Sequence, residues 1–265
     1  MPWLDYLFIK NPLRQFVSGG STGAVARFAR DRMRERLQSP QKKNESRKDF
    51  LSRFLEAKVR SPNVVDDAQV FSYTVSNMNA GSDTTAISLR AILYYTMKNK
   101  RVMDKLRGEL HAAVDMGKVS NPVSWKQSQE LPYLDAVIKE ALRLHPAVGL
   151  LLERVVPDGG LQLPNGPLLP RGTIVGSNPW IIHRHSVFGD KAEDFIPERW
   201  LRGEDESEIA FEGRRQNMVR ATLTFGAGPR TCIGKNISLL EIYKLIPSLL
   251  LAYDVRSYPQ FAIYY

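Results

Sequence analysis

The only cysteine of the chain, Cys232, lies in a short glycine-rich segment, FGAGPRTCIG, at residues 225–234. Three glycines surround the thiol, Arg230 precedes it by two residues, and an apolar pattern with helical spacing begins at Ile233. Glycines let a backbone turn tightly and approach a flat group closely. A sulfur at a helix N-terminus beside a guanidinium is stabilised as a thiolate. A lone cysteine is usually a small buried hydrophobe, but this setting favours a thiolate ligand.

A thiolate in such a loop points to haem, because it is an electron-rich ligand that pushes electron density from the iron toward bound dioxygen. FGAGPRTCIG resembles the haem-binding loop of the haem-thiolate monooxygenases, the cytochrome P-450 family, at all of its signature positions. The resemblance implies that Cys232 is the metal ligand of haem b, iron protoporphyrin IX. It also implies that Phe225, Gly226, Arg230 and Gly234 contact this cofactor.

The residues leave two alternatives to this interpretation. A phosphate cradle lacks support because Thr231 stands where a dinucleotide fingerprint has its third glycine, and no strand–loop–helix unit with a downstream acidic residue follows. The other alternative is a helical scaffold without haem, whose motifs are coincidental. In that case replacing Cys232 by serine would leave every spectral and binding property unchanged.

Composition limits the class of protein. The chain has 265 residues, of which 43% are hydrophobic, and this suits one large globular domain or two small ones. A single cysteine excludes an intrachain disulfide and fits a reducing compartment. Much of the net charge of +9 lies between Arg27 and Lys48. We interpret that run as a solvated helix face and loop, with no nucleic-acid partner, because no zinc-finger or RNA-binding signature accompanies it.

The hydrophobic periodicity predicts a mainly α protein with a small β-sheet. Short strands with turns are expected within residues 150–180, residues 181–222 are expected to be irregular, and a final helix follows Cys232. The resemblance implies an incomplete cytochrome P-450 fold, as one partial domain over residues 1–265 that matches the family best over 64–253. The other predicted helices run from about Thr22 to Leu37, Asp49 to Lys58, Asp66 to Lys98, Lys100 to Val114 and Pro132 to Leu144.

The longest predicted helix contains an unusual stretch, AGSDTT at residues 80–85. Glycine, serine, aspartate and threonine are poor choices for a helix interior, so the stretch indicates either a helix break or a site. It resembles the family's oxygen-activation motif, which implies that Ala80 and Gly81 lie against the haem and that Gly81 opens a groove where dioxygen binds. Thr84 would hold the bound oxygen and water, and Asp83 would relay protons, which cleavage of the O–O bond requires.

A charged pair, Glu140 and Arg143, shares one face of the helix that ends near Leu144. Taken alone, such a pair is most simply a surface ion pair. The helix is otherwise largely apolar, however, and a Pro-Glu-Arg-Trp segment follows at residues 197–200. Both elements resemble family elements, which implies that Glu140, Arg143 and Arg199 form a buried network that fixes the cysteine loop.

Two further features concern haem anchorage and metal binding. Haem propionates favour cationic, multi-donor partners, and the resemblance implies Arg230 and, less directly, Arg154 in this role; the alternative for Arg154 is an exposed strand charge. His183 and His185 have a spacing that could share a metal, but no cysteine or carboxylate has complementary spacing. We interpret this segment as a structural turn. The family often has an acidic residue at His185, so this position departs from its pattern.

The resemblance also predicts the substrate and the partners. A mostly apolar distal side suggests a lipophilic small molecule, oxidised with dioxygen and with electrons from a partner of the NADPH-cytochrome P-450 reductase type, which would dock on a basic cysteine-side face. Two short segments, Asn178-Pro179-Trp180 and residues 197–201, resemble most closely the sequences of fungal members of the pisatin demethylase and benzoate hydroxylase kind. The distal residues implied are Met78, Asn79, Ala80, Thr84, Val148, Gly149, Leu150 and Leu151.

Length and hydropathy lead to an expectation about the membrane. The start at Met1 lacks the pattern of a signal peptide, and the best apolar stretch, Ile87 to Met97, carries Arg90 and is too short to span a bilayer. The resemblance implies that full-length members are about twice as long and lie at the endoplasmic reticulum membrane. Without their anchor, this chain is expected in the cytosol.

A truncated, catalytically silent remnant is the alternative to an active monooxygenase.

Overall fold

The structure is a computed structural model that describes residues 21–38 and 49–256, so residues 39–48 of the basic run lie outside it. The described residues are mainly helical with small antiparallel sheets, which confirms the predicted fold class. Three 3-10 turns, Ser186–Phe188, Pro197–Trp200 and Gly228–Arg230, separate the later elements. The helices are α1 (Ser21–Gln38), α2 (Phe50–Arg60), α3 (Asp67–Lys98), α4 (Lys100–Asp115), α5 (Trp125–Ser128), α6 (Pro132–Leu144), α7 (Pro179–Ile182), α8 (Glu208–Ala221) and α9 (Lys235–Ala252).

Four short strands form two antiparallel pairs in the described residues. Strand β1 (Leu152–Val155) pairs with β4 (Ile174–Ser177), and β2 (Leu161–Gln162) pairs with β3 (Leu168–Leu169). The first pair brings backbones so close that a β-carbon at Gly176 would lie 2.7 Å from the carbonyl oxygen of the opposite strand. Only glycine fits such an approach.

The chain divides inside α3, between Asp83 and Thr84, into two compact units. The earlier unit has a small apolar cluster built around Met33, Val65 and Val70. The later unit has the main core, to which α3, α4, α6 and α9 contribute. The fully buried side chains of that core include Ile92, Leu106, Leu110, Leu134, Ile138, Ile242 and Ile246.

Helix α6 is the central element of the later unit, because ten of its 13 residues are buried. Its N-terminus begins with Pro132, which lacks an N–H group and tolerates the first helical position. The next two N–H groups, of Tyr133 and Leu134, donate to the two carboxylate oxygens of Glu109 in α4, at 2.7 and 2.9 Å. A carboxylate from another helix therefore caps α6.

The prediction that residues 181–222 are irregular is wrong over the 14-residue helix α8. Ser207 caps this helix, accepting from the N–H of Ala210 at 3.2 Å, and Met218 is its one buried residue. Its surface carries ion pairs such as Arg215–Glu212, at 2.8 Å. A helix stabilised by its cap and side-chain pairs has no apolar stripe, so hydrophobic periodicity could not reveal it.

We expect Glu109→Ala to lower the free energy of unfolding by about 2 kcal/mol, since it leaves two N–H groups at the buried start of α6 without partners. Burial raises the pKa of Glu109, while the same two hydrogen bonds oppose that shift. Glu109→Gln, which keeps one carbonyl acceptor, should lose less. Urea unfolding of the three proteins measures this difference. An alanine variant as stable as the wild type would contradict the capping role.

Candidate functional site

The cysteine segment forms a tight loop that is closed by its own backbone. The N–H of Cys232 donates to the carbonyl oxygen of Phe225 at 2.9 Å, across the whole segment. Gly226 and Gly228 have φ angles of 72° and 68°, which favour glycine strongly. The N–H and the hydroxyl of Thr231 both donate to the carbonyl oxygen of Gly228, at 3.1 and 2.9 Å. Glycine conformation and internal hydrogen bonds thus set the position of the thiol.

Cys232 is exposed and lies ahead of α9, which begins at Lys235 after Gly234. The apolar pattern that begins at Ile233 is not buried, since Ile233 is 102% exposed and Ile237 and Leu240 are 44% and 43% exposed. A fully exposed isoleucine beside an exposed thiol gives this loop an apolar surface. The sequence pattern identified a helix here, but its first apolar residues form a surface instead of a core.

The donor set fits a haem. Among the described residues there is no group of three or more His, Cys, Asp or Glu side chains that could hold a metal ion. A structural zinc site needs four protein ligands, whereas a porphyrin supplies four nitrogens and needs one axial ligand from the protein, such as a cysteine thiolate. Cys232 can supply that ligand, and the exposed Ile233 beside the half-buried Phe225 offers apolar contact to a flat ring.

A buried polar network lies on α6, centred on Glu140. The structure brings Glu140, Arg143 and Arg199 together, and all three are almost fully removed from solvent. The Glu140 carboxylate accepts five hydrogen bonds: from Arg143 Nε at 2.9 Å and Nη2 at 2.7 Å, from Arg199 Nε at 2.8 Å, from Trp200 Nε1 at 2.9 Å, and from the Ile196 N–H at 3.0 Å.

The two arginines carry one more positive charge than Glu140 neutralises, and backbone carbonyl groups surround the excess. Arg143 donates to the carbonyl oxygens of His183 and Ala192, both at 2.6 Å, and of Asp194 at 3.1 Å. Arg199 donates to those of Phe188, Lys191 and Asp194. The guanidinium groups therefore fasten the irregular segment between residues 183 and 200 onto α6.

His183 is a network member that the sequence did not reveal. Its ring is fully buried, with Nδ1 2.9 Å from the carbonyl oxygen of Arg143 and Nε2 2.7 Å from the N–H of Leu223. Burial, aided by the charges of Arg143 and Arg184, lowers its pKa to about 4. The prediction of a structural turn relied on spacing along the chain, and both ring contacts are long-range, so no local signal could identify them.

The stretch at residues 80–85 lies within an unbroken helix, since α3 runs from Asp67 to Lys98. A β-carbon placed on Gly81 would meet no atom within 4 Å. Asp83 is exposed and Thr84 is half-buried. The hydroxyl of Ser82 donates to the carbonyl oxygen of Met78 at 2.6 Å. The Ser82 hydroxyl thus bonds within the helix, whereas that of Thr85 donates to Ser238 Oγ of α9 at 3.2 Å. The alternative of a helix break at this stretch is not what the structure shows.

The two arginines predicted for the propionates are both exposed. Arg230 ends the 3-10 turn of the cysteine loop, and Arg154 lies in β1, where its Nη1 donates to the neighbouring carbonyl oxygen of Glu153 at 2.7 Å. On the segment after α6, Val148, Leu150 and Leu151 are exposed apolar residues. Propionate binding and substrate contact remain predictions for these positions.

Comparison with known proteins identifies the family of this chain. The family model described as Cytochrome P450 matches residues 6–263, and the chain therefore belongs to the cytochrome P450 family, whose members carry haem. A cytochrome P450 monooxygenase of Aspergillus terreus is 45% identical over 261 residues, covering 96% of this chain and 51% of the relative. The monooxygenases cicH of Emericella nidulans and cfoH of Aspergillus candidus are 44% and 41% identical, over 96% of this chain and 50% and 46% of theirs.

The chain spans about half the length of these curated relatives. Within the described residues, no helix combines the length and the apolar character that crossing a bilayer requires.

We expect Glu140→Gln to lower the free energy of unfolding by about 3–5 kcal/mol, because it leaves two buried guanidinium groups without a counter-charge. Urea unfolding measures the loss. The matched control is Glu212→Gln on α8, which removes an ion pair to Arg215 whose side chains are both 40% exposed. That control should leave stability close to that of the wild type, because water screens an exposed ion pair. Equal effects of the two substitutions would show that the Glu140 network is not a stabilising centre.

Proposed function

We propose that this chain is the haem-bearing part of a monooxygenase that inserts one oxygen atom from dioxygen into a lipophilic small molecule. The single observation that carries the proposal is the cysteine loop. Its exposed thiol is fixed by the Cys232-to-Phe225 backbone hydrogen bond and by two glycines at positive φ. Family membership supplies the reaction class.

In this proposal Cys232 Sγ would supply the protein ligand to the iron of haem b. Phe225, Gly226 and Gly234 form the loop beside the ring, and the absence of side chains at the glycines permits close approach of the backbone. Arg230 and Arg154 would bind the propionates, for which an always-charged, multi-donor guanidinium is suited. When bound, haem supplies the site for oxygen chemistry, and the thiolate makes its iron electron-rich.

The network around Glu140 has a positioning role. Arg143 holds the backbone of residues 183–194 on α6, and Arg199 binds Glu140 of α6. The end of α6 in turn holds Leu223 and Thr224, which lead into the cysteine loop, through His183 and the carbonyl oxygen of Leu142. A ligand held in one orientation loses less entropy when it binds iron than a mobile one does. These three residues would therefore act through Cys232, without touching the reacting atoms.

Proton delivery is assigned to Thr84 and Asp83. The Thr84 hydroxyl can hold a water by hydrogen bonds and pass a proton from its Oγ1, and the exposed Asp83 carboxylate can replenish that proton from solvent. Ala80 and Gly81 present almost no side chain, which leaves space for the ring beside α3. All four residues belong to α3.

Substrate and partners are inferred from the family and from apolar surface. Exposed Val148, Leu150 and Leu151 favour a lipophilic substrate, which Met78, Asn79 and Gly149 would help to contact. The similar monooxygenases come from fungi. From the resemblance alone, we propose that the chain is of the pisatin demethylase and benzoate hydroxylase kind. Electrons would come from a reductase that uses NADPH, and the whole protein would work at the endoplasmic reticulum membrane, with residues 1–265 as part of its haem domain.

The reduced, carbon-monoxide-bound absorption spectrum of the haem-loaded chain tests this proposal. We expect the strongly red-shifted Soret band of a thiolate-ligated haem in the wild type. Cys232→Ser should lose that band, because a serine hydroxyl is a poor donor to iron, and Cys232→His should give the band of an ordinary histidine-ligated haem. A wild-type spectrum without the thiolate band would contradict the proposal and favour a catalytically silent remnant.

We expect Thr84→Ala to separate electron consumption from oxygen insertion. With NADPH, a fungal reductase and 7-ethoxycoumarin as an apolar probe, product per NADPH should fall about tenfold, and hydrogen peroxide should rise, because the proton is no longer delivered in place. Thr84→Ser, which keeps the hydroxyl, is the matched control and should stay near the wild type. Unchanged peroxide release in the alanine variant would remove Thr84 from the proton path.

A further inference from the structure

The ring of His183 joins two segments that lie far apart in the chain. His183 follows α7 directly, and its own N–H donates to the carbonyl oxygen of Pro179 at 2.9 Å. Nδ1 faces the carbonyl oxygen of Arg143, near the end of α6, at 2.9 Å. Nε2 faces the backbone N–H of Leu223 at 2.7 Å. The ring therefore bridges α6 and the segment that leads into the cysteine loop.

These partners fix the tautomer of the ring. A backbone N–H can only donate, so Nε2 accepts from Leu223 and carries no proton. The proton of the neutral ring is then on Nδ1, which donates to the carbonyl oxygen of Arg143. Both nitrogens of this buried ring are satisfied in the neutral form and in one tautomer only. Protonation at Nε2 would place its N–H group against the N–H group of Leu223, and two donors cannot form a hydrogen bond.

The contact between His183 and Leu223 lies next to the cysteine loop. Leu223 stands two residues before Phe225, whose carbonyl oxygen accepts from the N–H of Cys232. The intervening Thr224 donates from its hydroxyl to the carbonyl oxygen of Leu142 in α6 at 3.3 Å. Two successive residues are therefore tied to the end of α6 immediately before the loop begins.

We propose that His183 is a positioning residue for Cys232, and that its unprotonated Nε2 holds the entrance of the cysteine loop against α6 through the Leu223 N–H. The consequence for haem binding rests on the proposed function, whereas the backbone contact does not. In the opposite direction, Arg143 Nη1 donates to the carbonyl oxygen of His183 at 2.6 Å. The backbone and the ring of His183 together connect the Glu140 network to the entrance of the cysteine loop.

The charged groups around His183 favour its neutral form. Arg143 of α6 lies at its carbonyl oxygen, and Arg184, the next residue, donates to the carbonyl oxygen of Leu144 at 3.0 Å. Glu140 of α6 is engaged by two guanidinium groups and Trp200, and Glu193 is paired with Arg184 at 2.8 Å. Phe188 packs against the ring with centroids 6.2 Å apart. Apolar contact and cationic neighbours both disfavour an imidazolium.

Two amide substitutions separate the two ring contacts. Asn at position 183 places its amide group near Nδ1, so His183→Asn keeps a donor for Arg143 and loses the acceptor for Leu223. Gln reaches farther, so His183→Gln can place its carbonyl oxygen near Nε2 and keep the acceptor for Leu223. The matched control is His185→Asn, at an exposed histidine whose Nδ1 accepts from the Val187 N–H at 3.2 Å and does not contact the loop.

The first measurement is hydrogen–deuterium exchange of the Leu223 amide in the full chain at neutral pH. We expect about tenfold faster exchange in His183→Asn than in the wild type, with His183→Gln and His185→Asn close to the wild type. The second measurement is the thiolate-type fraction of the reduced, carbon-monoxide-bound spectrum after haem loading. We expect that fraction to fall at least about twofold in His183→Asn alone.

The outcomes separate this inference from the proposed function. A wild type without the thiolate band contradicts haem ligation by Cys232, while the exchange rates still decide whether His183 holds the loop. Wild-type exchange and spectrum in His183→Asn would overturn the inference. Equal acceleration of exchange in His183→Asn and His183→Gln would overturn it too, because the ring would then serve packing in general and not the contact at Nε2.

Discussion

The Glu140 carboxylate accepts hydrogen bonds from two arginine side chains, one tryptophan and one backbone N–H, and the later unit depends on this buried acceptor. A single buried carboxylate would be costly, and so would either guanidinium alone. Together they are stable because each polar atom has a partner and the remaining charge faces six backbone carbonyl contacts. These contacts hold the irregular segment from residue 183 to residue 200 in one conformation.

Helix α6 transmits this order to the cysteine loop. Glu109 holds its first N–H groups, while His183 and Arg184 bind the carbonyl groups of Arg143 and Leu144 at its other end. Since ten of its residues are buried, α6 cannot shift without disturbing the core. The loop rests on this helix through Leu223 and Thr224 contacts, and its own glycines and backbone bond then present Cys232. The buried network and the loop that carries Cys232 are therefore both supported by the C-terminal end of α6.

The features that could be predicted from the sequence are those with a local sequence pattern or a motif shared across the family. Helix α6 was predicted with its observed bounds because Pro132 marks its start and the His145-Pro146 pair follows its end, and α3 and α4 followed from apolar spacing. Helix α8 was missed because caps and ion pairs stabilise it without an apolar stripe. The role of His183 was missed since its partners lie 40 residues away along the chain on either side. The apolar pattern at Ile233 predicted a helix after Cys232, but not that Ile233 would be a surface residue of the loop.

We propose that Cys232 Sγ, held by these contacts, binds the iron of haem. X-ray absorption at the iron K-edge of the haem-loaded chain can decide this, because sulfur and nitrogen scatter differently in the first coordination shell. We expect one sulfur scatterer at iron–thiolate distance in the wild type, and its loss in Cys232→Ser with the porphyrin nitrogens retained. A wild-type shell of nitrogen and oxygen alone, indistinguishable from that of the serine variant, would show that Cys232 does not bind the iron.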